Sequence, residues 1–385
     1  MESLDLYAAG KLAALERRAQ RRRLQPSDRH APARVMREGR DLISFCCNDY
    51  LNLSHHPQVI EAALAATRRY GAGSGASRLV TGNHPLYAGL EERLARIKNT
   101  DAACVFGSGY LANIGIIPTF ADEQDLIVAD ELCHACLFAG SRLSGATLEI
   151  FRHNDLQHCA RILAQRRARH PRCLILTDGV FSMDGDLAPV AELAALAERH
   201  DAWLMTDDAH GIGVVGGGRG SSFVAGGKLP VALQMGTLSK AVGGYGGYLC
   251  ASAPVIDFVK TRARSLIYST GLPPASVAAA IAALDLIAAD ADLVARPLRK
   301  ARLFARLLDL PEPQSCIVPI ILGEETRTLA ASARLEQSGF LVIAIRPPTV
   351  PAGTARLRFT FTAGHEDADI ERLAAAVRPL LAGGP

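Results

Sequence analysis

The sequence has no uninterrupted apolar run of the length that a transmembrane helix needs. Its most apolar stretch, residues 277–284, is short, and Asp285, Asp290 and Asp292 follow it closely. A helix needs about 20 apolar residues to cross a bilayer. The N-terminal residues also lack the apolar core of a secretory signal. We therefore expect a protein without membrane contact that is located in the cytoplasm.

The sequence also has little net charge. It contains 42 Lys and Arg against 39 Asp and Glu, a formal charge of +3. Such a small excess argues against nucleic-acid binding as the main function. Arginines cluster at residues 17–23, and the helical spacing of Leu12, Leu15 and Ala19 indicates that most of them lie on the solvated face of a helix.

Cysteine occurs in an odd number and forms one C-x-x-C pair. Nine cysteines scattered over 385 residues favour reduced, buried thiols over a disulfide framework. Cys133 and Cys136 bracket His134 in D-E-L-C-H-A-C-L, a pattern compatible with half a zinc site, a redox dithiol or two packing thiols. A structural zinc site needs a second ligand pair, and no other C-x-x-C occurs. We expect packing thiols and no metal site.

Short apolar runs alternate with amphipathic stretches from about residue 100 onward. The candidate strands are residues 102–106, 126–128, 148–151, 173–177, 202–206, 231–235 and 248–251. Continuous apolar strands separated by helices predict an α/β domain with a mostly parallel sheet covered on both faces. After about residue 272 an Ala/Leu-rich helical region and short strands indicate a smaller α+β domain, and the first 45 residues form an N-terminal arm.

Several of these strands end in residues that can bind charged groups. The strand at 102–106 runs into Gly107-Ser108-Gly109-Tyr110 and a helix, where backbone N–H groups suit a phosphate; a simple tight turn is the alternative. The strand at 202–206 ends in D-D-A-H-G. There Asp207 and His210 fit a metal site, an acid–base pair or an anchor for a cationic ring nitrogen. Asp208 fits an exposed turn instead.

Lys240 lies in the most informative segment, V-A-L-Q-M-G-T-L-S-K-A-V-G-G-Y-G-G at residues 231–247. It follows an apolar strand and precedes four glycines. A lysine in such a dry setting is a usable nucleophile, whereas a lysine on a solvated loop is the alternative. A phosphate cradle, an aspartate and a lysine at strand ends of one sheet match what pyridoxal 5'-phosphate (PLP) requires.

Four motifs together resemble those of the α-oxoamine synthases. They are S-G-Y at 108–110, D-G-V-F-S-M-D-G-D at 178–186, D-D-A-H-G at 207–211 and T-L-S-K-A-V-G-G at 237–244. The match runs from N-D-Y-L at 48–51 to L-R-F-T at 357–360. The resemblance implies a fold-type-I PLP-dependent transferase with an N-terminal arm (1–45), a large PLP-binding domain (46–272) and a small C-terminal domain (273–385).

The resemblance also implies which residues hold PLP. Lys240 carries the cofactor covalently, Asp207 pairs with the pyridinium nitrogen, and His134 stacks on the ring. The further implied cofactor residues are Gly109, Tyr110, Ser182, His210, Thr237, Ser269 and Thr270. The implied catalytic residues are Lys240, His134, Asp207 and His210. Ser269 and Thr270 reach the phosphate of the neighbouring subunit in a homodimer. No metal is implied.

The C-terminal segment A-I-R-P-P-T-V-P-A-G-T-A-R-L-R at 344–358 resembles the branch of the family that serves biotin synthesis, and S-H-H-P at 54–57 agrees. This implies L-alanine and a pimeloyl thioester as substrates, joined with loss of CO2 and a thiol. The thioester is pimeloyl-CoA or a pimeloyl-carrier protein. The implied substrate-binding residues are Arg21, Asn48, His134, Arg346, Thr349 and Arg358.

Two other activities remain as alternatives. One is a sibling condensation, of the glycine C-acetyltransferase or 5-aminolevulinate synthase type, which would share the PLP residues and differ at the acyl pocket. The other is a PLP aminotransferase, which would return a keto acid and would not release CO2 with a thiol. The lysine and the aspartate are both present, which argues against a non-enzymatic protein on this fold.

Overall fold

The computed structural model describes residues 2–382. The chain divides into two compact units, of which the first is Asn48–Leu298 and the second joins the residues up to Cys47 with those from Arg299 onward. The sequence pattern predicts a domain boundary after residue 272. In the structure the helix Pro274–Ala289 belongs to the first unit, because it packs against the helices Pro57–Tyr70 and Leu86–Lys98.

Helices and strands alternate along most of the chain. The helices are α1 Glu2–Arg17, α2 Pro57–Tyr70, α3 Leu86–Lys98, α4 Gly109–Phe120, α5 Ala135–Ser144, α6 Leu156–Arg166, α7 Val190–Arg199, α8 Ala253–Arg262, α9 Arg264–Ile267, α10 Pro274–Ala289, α11 Ala291–Leu307, α12 Glu325–Gln337 and α13 Asp367–Ala382. The strands are β1 Asp28–Ala31, β2 Arg34–Arg37, β3 Arg40–Ser44, β4 Ala102–Phe106, β5 Leu126–Asp130, β6 Thr147–Phe151, β7 Cys173–Asp178, β8 Trp203–Asp207, β9 Leu233–Thr237, β10 Gly247–Ala251, β11 Ile317–Gly323, β12 Phe340–Leu341, β13 Ile343–Ile345 and β14 Ala355–Thr360. Within residues 2–382, none of these helices has both the length and the apolar character needed to span a bilayer.

The seven strands predicted between residues 102 and 251 form one sheet. Its strand order is β4-β10-β9-β8-β7-β5-β6. Neighbouring strands are parallel except at β10, which runs antiparallel to β4 and β9. The carboxyl ends of the other six strands therefore share one edge of the sheet. This confirms the expected mostly parallel sheet and brings the loops that follow these strands together.

The central strands are buried on both faces, as a parallel sheet with helices on each side requires. In β5, Ile127 and Ala129 face one apolar core with α4 and α5, whereas Leu126 and Val128 face a second core with α6 and α7. The alternation follows from the two-residue period of a strand. Each large apolar side chain buried in this way contributes roughly 1.5–3 kcal/mol. Apolar residues at alternating positions thus hold the sheet between two helical layers.

The second unit contains two small sheets, with strand orders β1-β2-β3-β12 and β11-β14-β13. Its core includes the aromatic side chains Phe45, Phe304, Phe359 and Phe361. His365 stacks on Phe45 with ring centroids 4.0 Å apart. Burial lowers the pKa of His365 to about 4, so this ring is a neutral member of an aromatic core at neutral pH.

Candidate active site

A cavity of about 160 Å³ opens at the carboxyl edge of the large sheet. Loops that follow β4, β5, β7, β8 and β9 form its walls. Seven of the residues predicted to bind the cofactor line this cavity: Gly109, Tyr110, His134, Asp207, His210, Thr237 and Lys240. The topology therefore gathers side chains that are up to 131 residues apart in sequence.

Asp207 is the last residue of β8 and is only 4% exposed. Its Oδ2 accepts a hydrogen bond from Asn113 Nδ2 at 2.7 Å, and its Oδ1 accepts one from the Ala209 N–H at 2.9 Å. Such donors favour the charged form of a carboxylate. Asn113 is not among the residues predicted from the sequence. The available signal was a polar amide in the otherwise apolar helix α4, since a buried amide must find partners.

His134 caps the N-terminus of α5 and opens onto the cavity. The ring nitrogen Nδ1 of His134 accepts a hydrogen bond from the backbone N–H of Cys136 at 3.3 Å. The backbone N–H of His134 donates to Asp178 Oδ1 at 3.2 Å. Burial lowers the pKa of the imidazole against the opposing effect of Asp207, and nearby Lys240 lowers it further. The ring is therefore neutral at neutral pH. Burial, reinforced by the charge of Asp207, raises the pKa of Asp178 well above its ordinary value.

The N-terminus of α4 packs closely against the end of β9. Ser108 is the N-cap, and its Oγ accepts the Leu111 N–H at 3.1 Å. A Cβ added to Gly109 would lie 3.3 Å from Thr237 Cβ. Thr237 Oγ1 lies 2.8 Å from Ser239 Oγ. Backbone N–H groups at a helix N-terminus beside two hydroxyls form a suitable site for a phosphate.

Lys240 lies just beyond β9 and lines the cavity. Its loop turns at Gly243, where φ is +71° and an added Cβ would lie 2.5 Å from the backbone nitrogen of Ser54. Only glycine fits both the backbone conformation and the space. The turn therefore holds a lysine amine at the same cavity as Asp207, an arrangement suited to a Schiff base with a bound carbonyl compound.

His210 is buried beside a residue that the sequence analysis quoted without giving it a role. Tyr50 Oη lies 2.7 Å from His210 Nδ1 and donates to Asn48 Oδ1 at 3.2 Å. Since Tyr50 has one proton, His210 Nδ1–H is the donor to Tyr50. The structure thus connects two predicted site residues, Asn48 and His210, through Tyr50.

Three predicted cofactor residues do not line this cavity. Ser182 lies in the loop after β7. Ser269 lines a separate cavity of about 870 Å³ together with Tyr268, and Thr270 forms a bridge with Ser77. A single chain therefore does not bring Ser269 and Thr270 to the cavity that contains Asp207.

The residues predicted to bind the acyl substrate lie in the second unit, where Arg22, not Arg21, contacts Thr349. Arg21 pairs with Glu16 at 3.2 Å. Arg22 Nη2 donates to Thr349 Oγ1 at 2.7 Å. Burial lowers the pKa of Arg346, and the charge of Arg22 lowers it further. The sequence predicts roles for Arg21, Thr349 and Arg346 but not for Arg22, because adjacent arginines cannot be distinguished by spacing alone.

Arg358, the other arginine expected to bind substrate, is a buried residue of β14 in the same unit. It pairs across the small sheet with Pro319 of β11 and Ile343 of β13. Its position in the central strand β14 of that sheet gives the guanidinium a rigid support.

The C-x-x-C pair consists of two buried thiols with different neighbours. Cys133 packs in the apolar core between the sheet and α4, whereas Cys136 lines the cavity. Burial raises the pKa of both thiols. None of the nine cysteines, all of which lie within residues 2–382, forms a disulfide bond. No group of three or more His, Cys, Asp or Glu side chains in that range is arranged to hold a metal ion.

Asp208 is not in an exposed turn, contrary to the expectation from sequence. Its side chain is fully buried and lies 2.6 Å from Lys98 Nζ, which is also fully buried. Its Oδ1 accepts the Ser221 N–H at 2.8 Å. The turn prediction failed because the carboxylate is neutralised by a lysine from α3, 110 residues earlier in the chain.

The donors and acceptors at this cavity fit PLP. A buried carboxylate with two N–H donors suits a protonated ring nitrogen, and a neutral imidazole suits the face of the ring. The helix N-terminus at Gly109 and the hydroxyl of Thr237 suit the phosphate, and Lys240 suits the aldehyde carbon. These groups line one cavity and provide each type of contact that the cofactor needs.

Comparison with known proteins agrees with this geometry. A sequence model of the aminotransferase class I and II family matches residues 40–377. A structure of a serine palmitoyltransferase variant from S. paucimobilis with a bound PLP–myriocin aldimine is 29% identical, with a TM-score of 0.86 over 93% of each chain. This likeness confirms the predicted fold-type-I class.

Closer relatives extend over nearly the whole chain. The 8-amino-7-oxononanoate synthase of Methylocella silvestris is 67% identical and covers 90% of this chain and 99% of its own. The 8-amino-7-oxononanoate synthase of Beijerinckia indica is 60% identical over 99% of both chains. The chain therefore belongs to the class I and II aminotransferase family and, within it, to the 8-amino-7-oxononanoate synthases.

Proposed function

We propose that this protein condenses L-alanine with a pimeloyl thioester to form 8-amino-7-oxononanoate, CO2 and a free thiol, a step of biotin biosynthesis. The observation that carries the proposal is the presence of Lys240, Asp207 and His134 at one cavity at the carboxyl edge of the sheet. The identity of the close relatives selects this condensation from among those that such a site can perform.

PLP, when bound, supplies the electron sink that makes removal of the alanine Cα proton feasible. Asp207 holds the ring nitrogen in its protonated form, since a charged carboxylate next to that nitrogen stabilises the proton. Asn113 and the Ala209 N–H keep the carboxylate in place at 2.7 and 2.9 Å. With PLP bound, His134 would cover the ring face, Gly109, Tyr110 and Thr237 would bind the phosphate, and His210 would face the ring hydroxyl. The resemblance implies the same place for Ser182, which lies in the loop after β7 outside the cavity lining.

Lys240 is the base in this proposal. Its Nζ removes the Cα proton of alanine and later returns a proton to the product, and both transfers need the amine within hydrogen-bond reach of that carbon. The loop fixed by Gly243 keeps Lys240 at the cavity. The neutral imidazole of His134 limits positive charge beside this amine, because burial lowers the pKa of His134.

The substrate carboxylates require arginines with fixed geometry. We assign the alanine carboxylate to Asn48 and Arg358, the latter held in β14. We assign the far carboxylate of the pimeloyl group to the arginines near Thr349, namely Arg346, Arg21 and in particular Arg22, which donates to Thr349 at 2.7 Å. A guanidinium fork binds a carboxylate through two parallel hydrogen bonds.

The proposal includes a homodimer in the cytoplasm. Ser269 and Thr270 lie away from the cavity of their own chain, which supports a role at the phosphate of the neighbouring subunit. Nine cysteines without a disulfide among the described residues support a reducing compartment. The acyl donor is pimeloyl-CoA or a pimeloyl-carrier protein.

The test compares substrate mixtures. Purified protein is incubated with alanine and pimeloyl-CoA, with glycine and acetyl- or succinyl-CoA, and with alanine and a keto acid. Release of thiol and CO2 in the first mixture alone, abolished in Lys240→Ala, supports the proposal. Equal or faster thiol release with glycine would favour a sibling condensation, and amino-group exchange without thiol release would favour an aminotransferase.

A further inference from the structure

Cys136 connects His134 to Asp207 through a short chain of hydrogen bonds. Its Sγ lies 2.7 Å from His134 Nδ1 and 3.0 Å from Asn113 Nδ2. Asn113 Nδ2 is also 2.7 Å from Asp207 Oδ2. Cys136 is 2% exposed and Asn113 is 0% exposed, so the Asn113 contacts are shielded from solvent, whereas His134 is open to the cavity. These hydrogen bonds therefore link His134 and Asp207, which face the same cavity.

Proton counting sets the direction of each hydrogen bond in this chain. A charged carboxylate only accepts, so Asn113 uses one amide proton on Asp207 and has its second proton for Cys136 Sγ. Burial, reinforced by the charge of Asp207, raises the pKa of Cys136 to about 12, so the thiol keeps its proton. That proton then points to the remaining neighbour, His134 Nδ1.

His134 Nδ1 therefore accepts twice, from the Cys136 thiol and from the Cys136 N–H at 3.3 Å. A ring nitrogen that accepts hydrogen bonds carries no proton, and a neutral imidazole carries one proton in total. The single proton of His134 is consequently on Nε2. Two bonds from one residue to one nitrogen also restrict rotation of the ring.

We propose that Cys136 is a positioning residue that holds His134 in its Nε2–H tautomer and in one ring orientation, coupled through Asn113 to Asp207. The kinetic consequence rests on the proposed function, whereas the tautomer does not. Of the two cysteines expected to be packing thiols, only Cys133 then has that role. Its Sγ lies 3.6 Å from the Leu176 carbonyl in the apolar core. Cys133 is therefore the matched control.

The tautomer can be measured directly in the PLP-loaded protein by NMR with ¹⁵N-labelled histidine, with the His134 signals assigned by their loss in His134→Gln. We expect a single Nε2–H tautomer in the wild type, in Cys133→Ala and in Cys136→Ser, because serine retains both a donor and an acceptor. Cys136→Ala retains only the longer backbone contact at 3.3 Å and loses the thiol donor, so it should show a mixture of tautomers. A single Nε2–H tautomer in Cys136→Ala would overturn the proposal.

Steady-state kinetics provide the second readout. Loss of one buried hydrogen bond in a network should raise the KM for alanine about tenfold in Cys136→Ala, with a smaller change in kcat. Cys136→Ser should restore the KM, and Cys133→Ala should leave it unchanged. A Cys136→Ser variant as impaired as Cys136→Ala would show that hydrogen bonding is not the cause. If the wild type lacks the condensation activity, the proposed function fails, while the NMR result still decides the role of Cys136.

Discussion

Lys98 Nζ lies 2.6 Å from Asp208 Oδ2, and both side chains are fully buried. Lys98 also donates to the Arg219 carbonyl at 2.7 Å. Glycines enclose the carboxylate: a Cβ at Gly179 would lie 2.3 Å from Asp208 Oδ1, and one at Gly220 would lie 2.4 Å from Oδ2. Asp208 follows Asp207 directly, so Lys98 compensates one of two adjacent acidic residues. The end of β8 is thus anchored to α3.

Removal of Lys98 should destabilise the protein strongly. We expect Lys98→Met to lower the free energy of unfolding by about 3–5 kcal/mol, because it leaves a buried carboxylate without its counter-charge. Chemical denaturation followed by circular dichroism measures this change. The control is Arg96→Met, since Arg96 forms an exposed pair with Glu92 and should contribute less than about 1 kcal/mol. In the double variant Lys98→Met with Asp208→Asn, the free energy of unfolding should fall less than in Lys98→Met alone. An equal fall in both variants would show that the unpaired carboxylate is not the cause.

His153 should make stability depend on pH. Its Nδ1 lies 3.1 Å from Asp130 Oδ1 and its Nε2 lies 2.7 Å from Asp186 Oδ2. Burial alone would lower the pKa of His153, but the hydrogen bonds and charges of Asp130 and Asp186 raise it to about 10. Because the folded pKa exceeds the unfolded value of about 6.5, this stabilisation is complete below pH about 6.5 and is lost as the pH rises toward about 10.

The measurement compares the wild type with His153→Gln at pH 6, 8 and 10. The difference in unfolding free energy should be up to about 4 kcal/mol at pH 6 and should shrink steadily with rising pH. His170→Gln is the control, because the His170 ring bonds a backbone carbonyl, that of Gln124. A difference for His153→Gln that is constant across this range would show that the imidazole is not charged in the folded protein.

Arg22 should bind the acyl substrate more strongly than Arg21. Arg22 donates to Thr349 at 2.7 Å and its charge lowers the pKa of Arg346, whereas Arg21 pairs with Glu16 at 3.2 Å. Loss of a charged hydrogen bond to a carboxylate should raise the KM for pimeloyl-CoA by about tenfold or more in Arg22→Ala. In Arg21→Ala we expect the KM for pimeloyl-CoA to change less than about threefold, because exposed ion pairs contribute little energy. The opposite order would restore the assignment made from sequence.

Asp207→Asn should remove most of the activity while leaving the fold intact. The amide occupies the same volume but cannot stabilise a protonated ring nitrogen, so kcat/KM should fall by about 100-fold or more. Asp201→Asn is the control, because the Asp201 side chain is 96% exposed. Turnover assays and absorbance titrations of bound PLP measure both effects. Near-normal turnover in Asp207→Asn would exclude the proposed role of this carboxylate.

Much of the active-site cavity was predictable because a parallel sheet leaves clear marks in a sequence. Buried strands appear as continuous apolar runs, and the residues that follow them meet at one edge. This reasoning found the loops that contain Asp207 and Lys240, and the motifs around them identified the family. The antiparallel strand β10 was not predictable, because its pattern of apolar residues resembles that of its parallel neighbours.

Contacts between distant segments depended on the tertiary structure. Asn113 reaches Asp207 from α4, and Lys98 reaches Asp208 from α3, across 94 and 110 residues of sequence respectively. Neither pairing leaves a local pattern, because it depends on how each helix is rotated against the sheet. The choice of Arg22 over Arg21 beside Thr349 has the same origin.

By itself, the sequence determined the order of strands and helices, the strand ends that bear chemistry and the family of the protein. Local apolar periodicity and motif spacing carry that information directly. The tertiary structure decided which of these side chains are neutralised, hydrogen-bonded or buried, since these properties depend on partners that folding brings from elsewhere in the chain. Cys136 shows the difference: the sequence predicts a packing thiol, whereas the structure brings its Sγ within hydrogen-bond distance of His134 and Asn113.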